Sequence, residues 1–328
     1  MNSPDIQFFR AIAIIAVVMI HTTPAGEWQI FCKPFINFAV ATFIFLSGYL
    51  TKADNDNWLA FYRRRITRVL VPYFIWTVIY SIQDIQSEGL SVLVKNLLCA
   101  NATTTLYYIF VYIQFVLLTP LMGKLAKSRL RHLGWIIAPL SVVLFKYIPA
   151  FGDIHLGKHV ELLWSDACLG WFTFYYLGLI LGNKLLSPKF NLINLVFIYC
   201  VSLLLQMGEG YLWFTVDPAG CGSQLKLSSI LSSSIFMLFT YYVLERCTPR
   251  VNHGSHEPKS RLLCTIGDYS FGIYLVHMMF LKGLQHLEFY SAIPYPLTSL
   301  IVLSVSLIFC YACTAVMGKR AGRWLGFI

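Results

Sequence analysis

Charge is scarce in this sequence. Asp, Glu, Lys and Arg make up 12% of its 328 residues, about half the share found in an ordinary soluble domain. Acidic residues are the scarcer, 15 against 25 basic. Length alone would allow two soluble domains, but 57% hydrophobic residues and a mean hydropathy of +0.65 argue against that. Polar breaks are missing too: the apolar runs continue for about 18–20 residues without alternating, which fits membrane-spanning helices and not a barrel. There is no P-loop, dinucleotide fingerprint, metal-ligand cluster, G-x-S-x-G elbow or internal repeat. No basic stretch precedes the first hydrophobic segment at Ile6, and no small-x-small site follows His21. That segment therefore reads as a retained helix and not as a signal peptide. The nine cysteines are scattered, and the one C-x-x-C, Cys310 and Cys313, lies in an apolar run with no second pair. A packing role fits it better than metal or redox work.

Ten apolar segments are present, near 6–23, 35–51, 69–87, 104–122, 134–150, 168–184, 190–206, 227–245, 262–281 and 296–317. With the N-terminus placed in the cytoplasm, the inside loops collect 18 of the 25 basic residues, including Arg63, Arg64, Arg65 and Arg68. The outside loops and adjoining helix ends hold six, all lysines: Lys33, Lys95, Lys146, Lys158, Lys226 and Lys282. This asymmetry predicts an all-α integral membrane protein of about ten transmembrane helices with both termini cytoplasmic, residues 1–328 forming a single polytopic domain. The net charge of +10 then reports topology, and nucleic acid is not among the expected partners. Two outside loops are longer, near 151–167 and 207–226; contact with an external substrate and simple connection fit them equally.

Four stretches carry polar groups that are costly to bury. In FFRAIAIIAVVMIHTTP, Phe8 to Pro24, Arg10 and His21 are eleven residues apart. At about 100° per residue they share one helix face, about 16 Å apart along the axis. Either Arg10 snorkels to the inner headgroups and His21 caps the helix, or both line a pathway. In FYRRRITRVLVPYFIWT, Phe61 to Thr77, the arginines anchor the inner side. Arg65 and Arg68, three apart, also project together and could grip phosphate. In IGDYSFGIYLVHMMF, Ile266 to Phe280, His277 reads first as a satisfied core histidine, and Ser270 and Tyr274 offer hydroxyls or packing. In FIFLSGYL, Phe43 to Leu50, Ser47-Gly48 permits close helix approach. Tyr107, Tyr108 and Tyr112, in TLYYIFVYIQFVLLTPL, fit an interfacial belt or a cavity lining.

Taken in chain order, these stretches resemble the membrane-bound acyltransferase-3 family. That family carries an arginine, ten residues and a histidine in its first helix, then Ser-Gly, Arg-x-x-Arg with a following Pro, and Ser-x-x-Ile-Tyr-x-x-His elements. MIHTTP, LYYIFVYIQFVLLTPL and FYYLGLILGN look closest to the branch that includes the enterobacterial common antigen O-acetyltransferase and the membrane part of vancomycin-resistance serine racemases. One departure is TLYY at Thr105–Tyr108, where relatives often have a His-Leu-Trp-Phe-like stretch. The resemblance implies transfer of an acyl group, usually acetyl, from acyl-CoA to a hydroxyl of a cell-surface glycan or lipid-linked sugar. It implies no metal and a bacterial inner-membrane setting. The implied partners are the acyl donor, the acceptor and the bilayer, with homo-oligomers left open. Arg65, Arg68 and Arg10 would then serve the CoA donor and His21 would be the general base. Substrate or oxyanion contacts would come from Tyr108, Ser270 and His277, and an acidic partner for His21 from Glu161, Asp166 or Glu27. The same fold also suits a transporter of amino acids or glycan precursors, because that too places ionisable residues along a transmembrane path. A third reading is a structural subunit of a glycan-assembly complex.

Overall fold

The computed structural model describes residues 4–157, 160, 164, 167–246 and 261–327, and every regular element among these is a helix. In chain order they are α1 (Pro4–Thr22), α2 (Trp28–Cys32), α3 (Phe38–Tyr49), α4 (Trp58–Tyr80), α5 (Ile82–Glu88), α6 (Leu90–Cys99), α7 (Tyr107–Lys127), α8 (Ile137–Phe151), α9 (Phe172–Gly182), α10 (Leu192–Val216), α11 (Leu227–Arg246), α12 (Arg261–Asp268), α13 (Ser270–Gln285) and α14 (Tyr295–Trp324).

Each of the ten expected segments falls on one of these helices or on a pair of them. Six are long and apolar enough to cross a membrane: α1, α2 with α3, α7, α10, α11 and α14. The number rises to eight if α4 with α5 and α12 with α13 each form one span. The remaining two expected segments are the shorter apolar helices α8 and α9. Two boundaries differ from expectation for local reasons. Asn57 accepts a hydrogen bond from Ala60 N at 2.9 Å and starts α4 early, so the arginine run lies within the helix and not ahead of it. Tyr211, Leu212, Trp213 and Phe214 prolong the apolar pattern of α10 to Val216, so the loop expected at 207–226 is confined to 217–226.

Burial separates the helices by environment. Every residue of α9 from Phe172 to Leu181 is buried, the signature of a helix enclosed by protein. By contrast α10 turns Ile193, Val196, Phe197, Leu204 and Leu212 outward, and α14 does the same with Leu300, Ile308 and Val316. Apolar surface this continuous suits lipid and not water. The chain is a multi-pass membrane protein.

Two compact units divide the chain, Met1–Asp54, Thr119–Trp164 and Cys168–Gly267 forming the first, Asn55–Leu118, Ser165–Ala167 and Asp268–Ile328 the second. In the first, α3 and α9 cross backbone to backbone. A Cβ on Gly48 would fall on Tyr175 O, one on Gly178 on Phe45 O and one on Gly182 on Tyr49 O. Gly178 and Gly182 form a G-x-x-x-G pair, and Gly48 supplies the facing small residue. A polar network ties α3 to α10 and α11: Asn37 Nδ2 donates to Gln206 Oε1 at 2.9 Å and Ser229 Oγ donates to the same oxygen at 3.0 Å. Gln206 Nε2 in turn donates to Ser232 Oγ. These groups are fully buried, so pairing them avoids the desolvation cost of an isolated amide.

In the second unit, α4 and α5 meet at a 53° bend. Ser81 sits at the break, where its Oγ accepts from Asn96 Nδ2 at 2.9 Å, while Tyr73 Oη donates to Leu97 O at 2.7 Å. Together they fix α6 against α4. Asn96→Leu is expected to cost about 1–3 kcal/mol, read as a lowered Tm in detergent. After α14 the chain turns back: Trp76 Nε1 donates to Leu325 O at 3.1 Å, and Phe327 fills the space that a side chain at Gly272 would need. Cys310 is fully buried beside Gly272, which is a packing position.

Candidate active site

The first unit holds Arg10 and His21 on α1. Both are partly exposed, and Ile14 and Val17, which lie between them on the same stripe, are buried. The stripe is therefore open at its ends and closed in its middle. At the start of α1, a Cβ on Gly267 would fall on the backbone of Gln7. This close approach pins the first turns of α1 against α12, and Arg10 Nη1 donates to Gln7 Oε1 at 3.5 Å. At the other end, Thr22 Oγ1 donates to Val18 O at 3.0 Å and Thr23 Oγ1 to Met19 O at 2.7 Å. These hydroxyl bonds add to the backbone bond that Met19 O already accepts from Thr23 N at 3.0 Å, which steadies the turn bearing His21.

The second unit holds Arg65, Arg68, Tyr108, Ser270 and His277. On α4, Arg65 is half-buried with its guanidinium 5.5 Å from the centre of the Phe61 ring, and Arg68 is exposed. Pro72 lacks an N–H, so the Arg68 carbonyl has no helical donor four residues on. Ser270 opens α13 and is buried. The Tyr274 ring packs edge-on against Tyr108 at 5.6 Å, and its hydroxyl donates to Thr105 O. His277 is fully buried, and its Nδ1 lies 3.1 Å from Ile273 O and 2.8 Å from Tyr274 O. Two carbonyl partners require that Nδ1 carry the proton, so the neutral ring presents Nε2 as an acceptor. A ring in that tautomer donates nothing to an oxyanion, whereas the hydroxyls of Tyr108 and Ser270 are donors by nature.

Glu161 and Asp166 lie outside the described residues. Glu27 is exposed at the start of α2.

The chain matches the family model Acyl_transf_3, described as an acyltransferase domain, over residues 3–315. It belongs to the acyltransferase-3 family. No curated protein and no solved structure matches the chain. In this membrane acyltransferase the matched region takes in Arg10, His21, Arg65, Arg68, Tyr108, Ser270 and His277. Several supports of these residues were not evident in the sequence. Gln7 and Gly267 hold Arg10, and Thr105 receives the Tyr274 hydroxyl. Tyr80 Oη donates to Leu275 O at 2.7 Å and accepts from Met279 N at 3.2 Å, which braces the helix of His277. A buried amide within an apolar run is a readable signal, and Gln206 is one.

Proposed function

We propose that this acyltransferase moves an acetyl group from cytosolic acetyl-CoA to a hydroxyl of a cell-surface glycan or lipid-linked sugar, with His21 as general base. The observation that carries the reading is the α1 stripe, partly exposed at Arg10 and at His21 with buried Ile14 and Val17 between. Ionisable groups within reach at both ends of one helix suit a donor and an acceptor arriving from opposite sides, and the family supplies the reaction class. We read the chain as ten spans in a bacterial inner membrane, both termini inside, with the shorter helices α8 and α9 counted among the spans and α9 enclosed by protein.

The chemistry follows from these groups. The acceptor oxygen attacks the thioester carbonyl while the His21 imidazole takes its proton. The resulting oxyanion collapses to an ester, as hydrogen-bond donors at such a centre promote. The C–S bond breaks, and the proton on His21 passes to the departing CoA thiolate. Arg65 and Arg68 take the phosphates of CoA, and Arg10 serves the donor on its way in.

The test is transfer from radiolabelled acetyl-CoA, by protein reconstituted in lipid, to a broad panel of undecaprenyl-linked sugars and glycans. Label in one acceptor is the expected result, and no transfer to any of them would sink the proposal. For the donor site, Arg65→Ala and Arg68→Ala are each expected to weaken CoA binding by about tenfold, as losing a charge-assisted hydrogen bond does. Unchanged thermal stabilisation by CoA in the double variant would refute the phosphate grip.

A further inference from the structure

Three of the six lysines assigned to the outside by charge counting, Lys33, Lys146 and Lys226, converge in the first unit around Trp213 at the end of α10. Lys226 is 1% exposed, and its Nζ donates to Cys221 O at 2.6 Å and lies 3.5 Å from Gln206 O. Lys33 Nζ donates to Gln29 Oε1 at 2.6 Å, with its stem laid over Gly222. Lys146 Nζ stands 4.7 Å from the centre of the Trp213 ring. It is brought there by a helix with a π turn at Val143–Tyr147. The extra residue of such a turn rotates the side chains that follow by about 100°. None of the three lysines forms an ion pair among the described residues.

The nearby carboxylates are engaged elsewhere. Glu209 accepts from Ser228 N at 2.9 Å and from Ser228 Oγ, capping α11. Asp217 accepts from Ala219 N at 3.1 Å, capping the turn at Pro218. Three ammonium groups against two carboxylates leave an excess of one positive charge. Trp213 is itself 1% exposed, and its Nε1–H is a buried donor with no acceptor among the described residues. A burial-starved lysine and an unsatisfied indole N–H in one place are both costly, and both costs fall when an acceptor-only group arrives. Desolvation pulls the Lys226 ammonium below the ordinary lysine range, with Glu209 opposing it, and an arriving anion would act in the same direction as Glu209. Burial raises the Cys221 thiol, so the sulfur stays protonated and inert.

We infer that Lys146, Lys226 and the Trp213 indole N–H form a binding site for an oxyanion, a phosphate or carboxylate group, at this end of the first unit. Under the acyl-transfer reading, on which this last assignment rests, the group belongs to the acceptor; the binding itself does not depend on that reading. An apolar groove of about 660 Å³ adjoins Glu209 and Ser228, lined by Leu204, Leu205, Leu212 and Leu231, so the oxyanion has two possible sources, soluble or attached to a lipid.

The experiment is native mass spectrometry of the full chain with pyrophosphate, glucuronate, and phosphatidylglycerol against phosphatidylcholine. Lys146→Gln and Trp213→Phe serve as variants, the second keeping an aromatic face and removing the N–H. At least one oxyanion probe is expected to bind the native chain at least tenfold more tightly than either variant. Preference for phosphatidylglycerol over phosphatidylcholine identifies a headgroup, and binding of pyrophosphate or glucuronate identifies a soluble or sugar-borne group. Binding by none of the probes, or equal binding by native and variant proteins, overturns the site. Acetyl-CoA binding measured alongside should be equal in native and Lys146→Gln proteins, which separates failure of this site from failure of the donor assignment.

Discussion

His21→Ala is expected to lower kcat for acyl transfer by about 10²–10⁴-fold, the usual contribution of a positioned general base, while CoA binding is unchanged. The split follows from geometry. His21 stands in the last turn of α1, where Thr22 and Thr23 back-bond to the helix, and in the proposed mechanism it only moves a proton, from the acceptor hydroxyl to the departing thiolate, without gripping CoA. Arg10 lies at the other end of the stripe, about 16 Å away along the helix axis. Arg10→Ala should therefore raise KM for the donor more than it lowers kcat. Steady-state kinetics with labelled acetyl-CoA reads both. A His21→Ala protein as active as the native one would remove His21 from the mechanism. An Arg10→Ala protein that loses kcat alone would place Arg10 at the reacting atoms and not on the donor path.

The largest effect on stability is expected from Gly178→Leu. At this position even a Cβ would overlap Phe45 O and come within 2.8 Å of Tyr49 N, both backbone atoms of α3. Side chains can rotate away from an intruder, but backbone in the centre of a helix crossing cannot. Overpacking commonly costs about 1–3 kcal/mol, and with no flexible neighbour to yield we expect at least the upper end, seen as loss of the folded species in detergent. Gly208→Ala on α10 is the matched control. Nothing lies within 4 Å of a Cβ there, and removing a glycine from a helix interior should gain about 0.5–1 kcal/mol. If Gly178→Leu and Gly208→Ala melt at the same temperature, the close crossing of α3 and α9 does not support the first unit.

Much of the fold was legible because lipid imposes a simple rule. A segment in hydrocarbon must satisfy its own backbone and show apolar side chains outward, so uninterrupted apolar runs such as Ala11–Ile20 mark helices directly. The boundaries were less legible. Asn57 is a side-chain cap whose effect depends on where Ala60 N points, and the aromatic tail of α10 reads equally as loop or helix. At the site, the Arg10–His21 spacing was readable because one helix carries both residues and its period is known. The Ser47-Gly48 step was readable as a small-residue signal, although its partners Gly178 and Gly182 lie far away in sequence.

Other features depend on residues that only folding brings together. The tautomer of His277 is set by two carbonyls of its own helix, a choice that also decides what the ring can offer. The seat of Arg10 depends on Gly267 meeting Gln7, more than 250 positions away in the chain. The lysines 33, 146 and 226 were counted one by one as sparse outside charges, and nothing in their spacing joins them. By itself, the sequence determined that this is a helical membrane protein and placed Arg10 and His21 on one stripe, because helix period and hydrophobicity are local properties. Only the tertiary structure decided that three lysines gather at Trp213, because burial, desolvation and charge proximity are properties of neighbours in space.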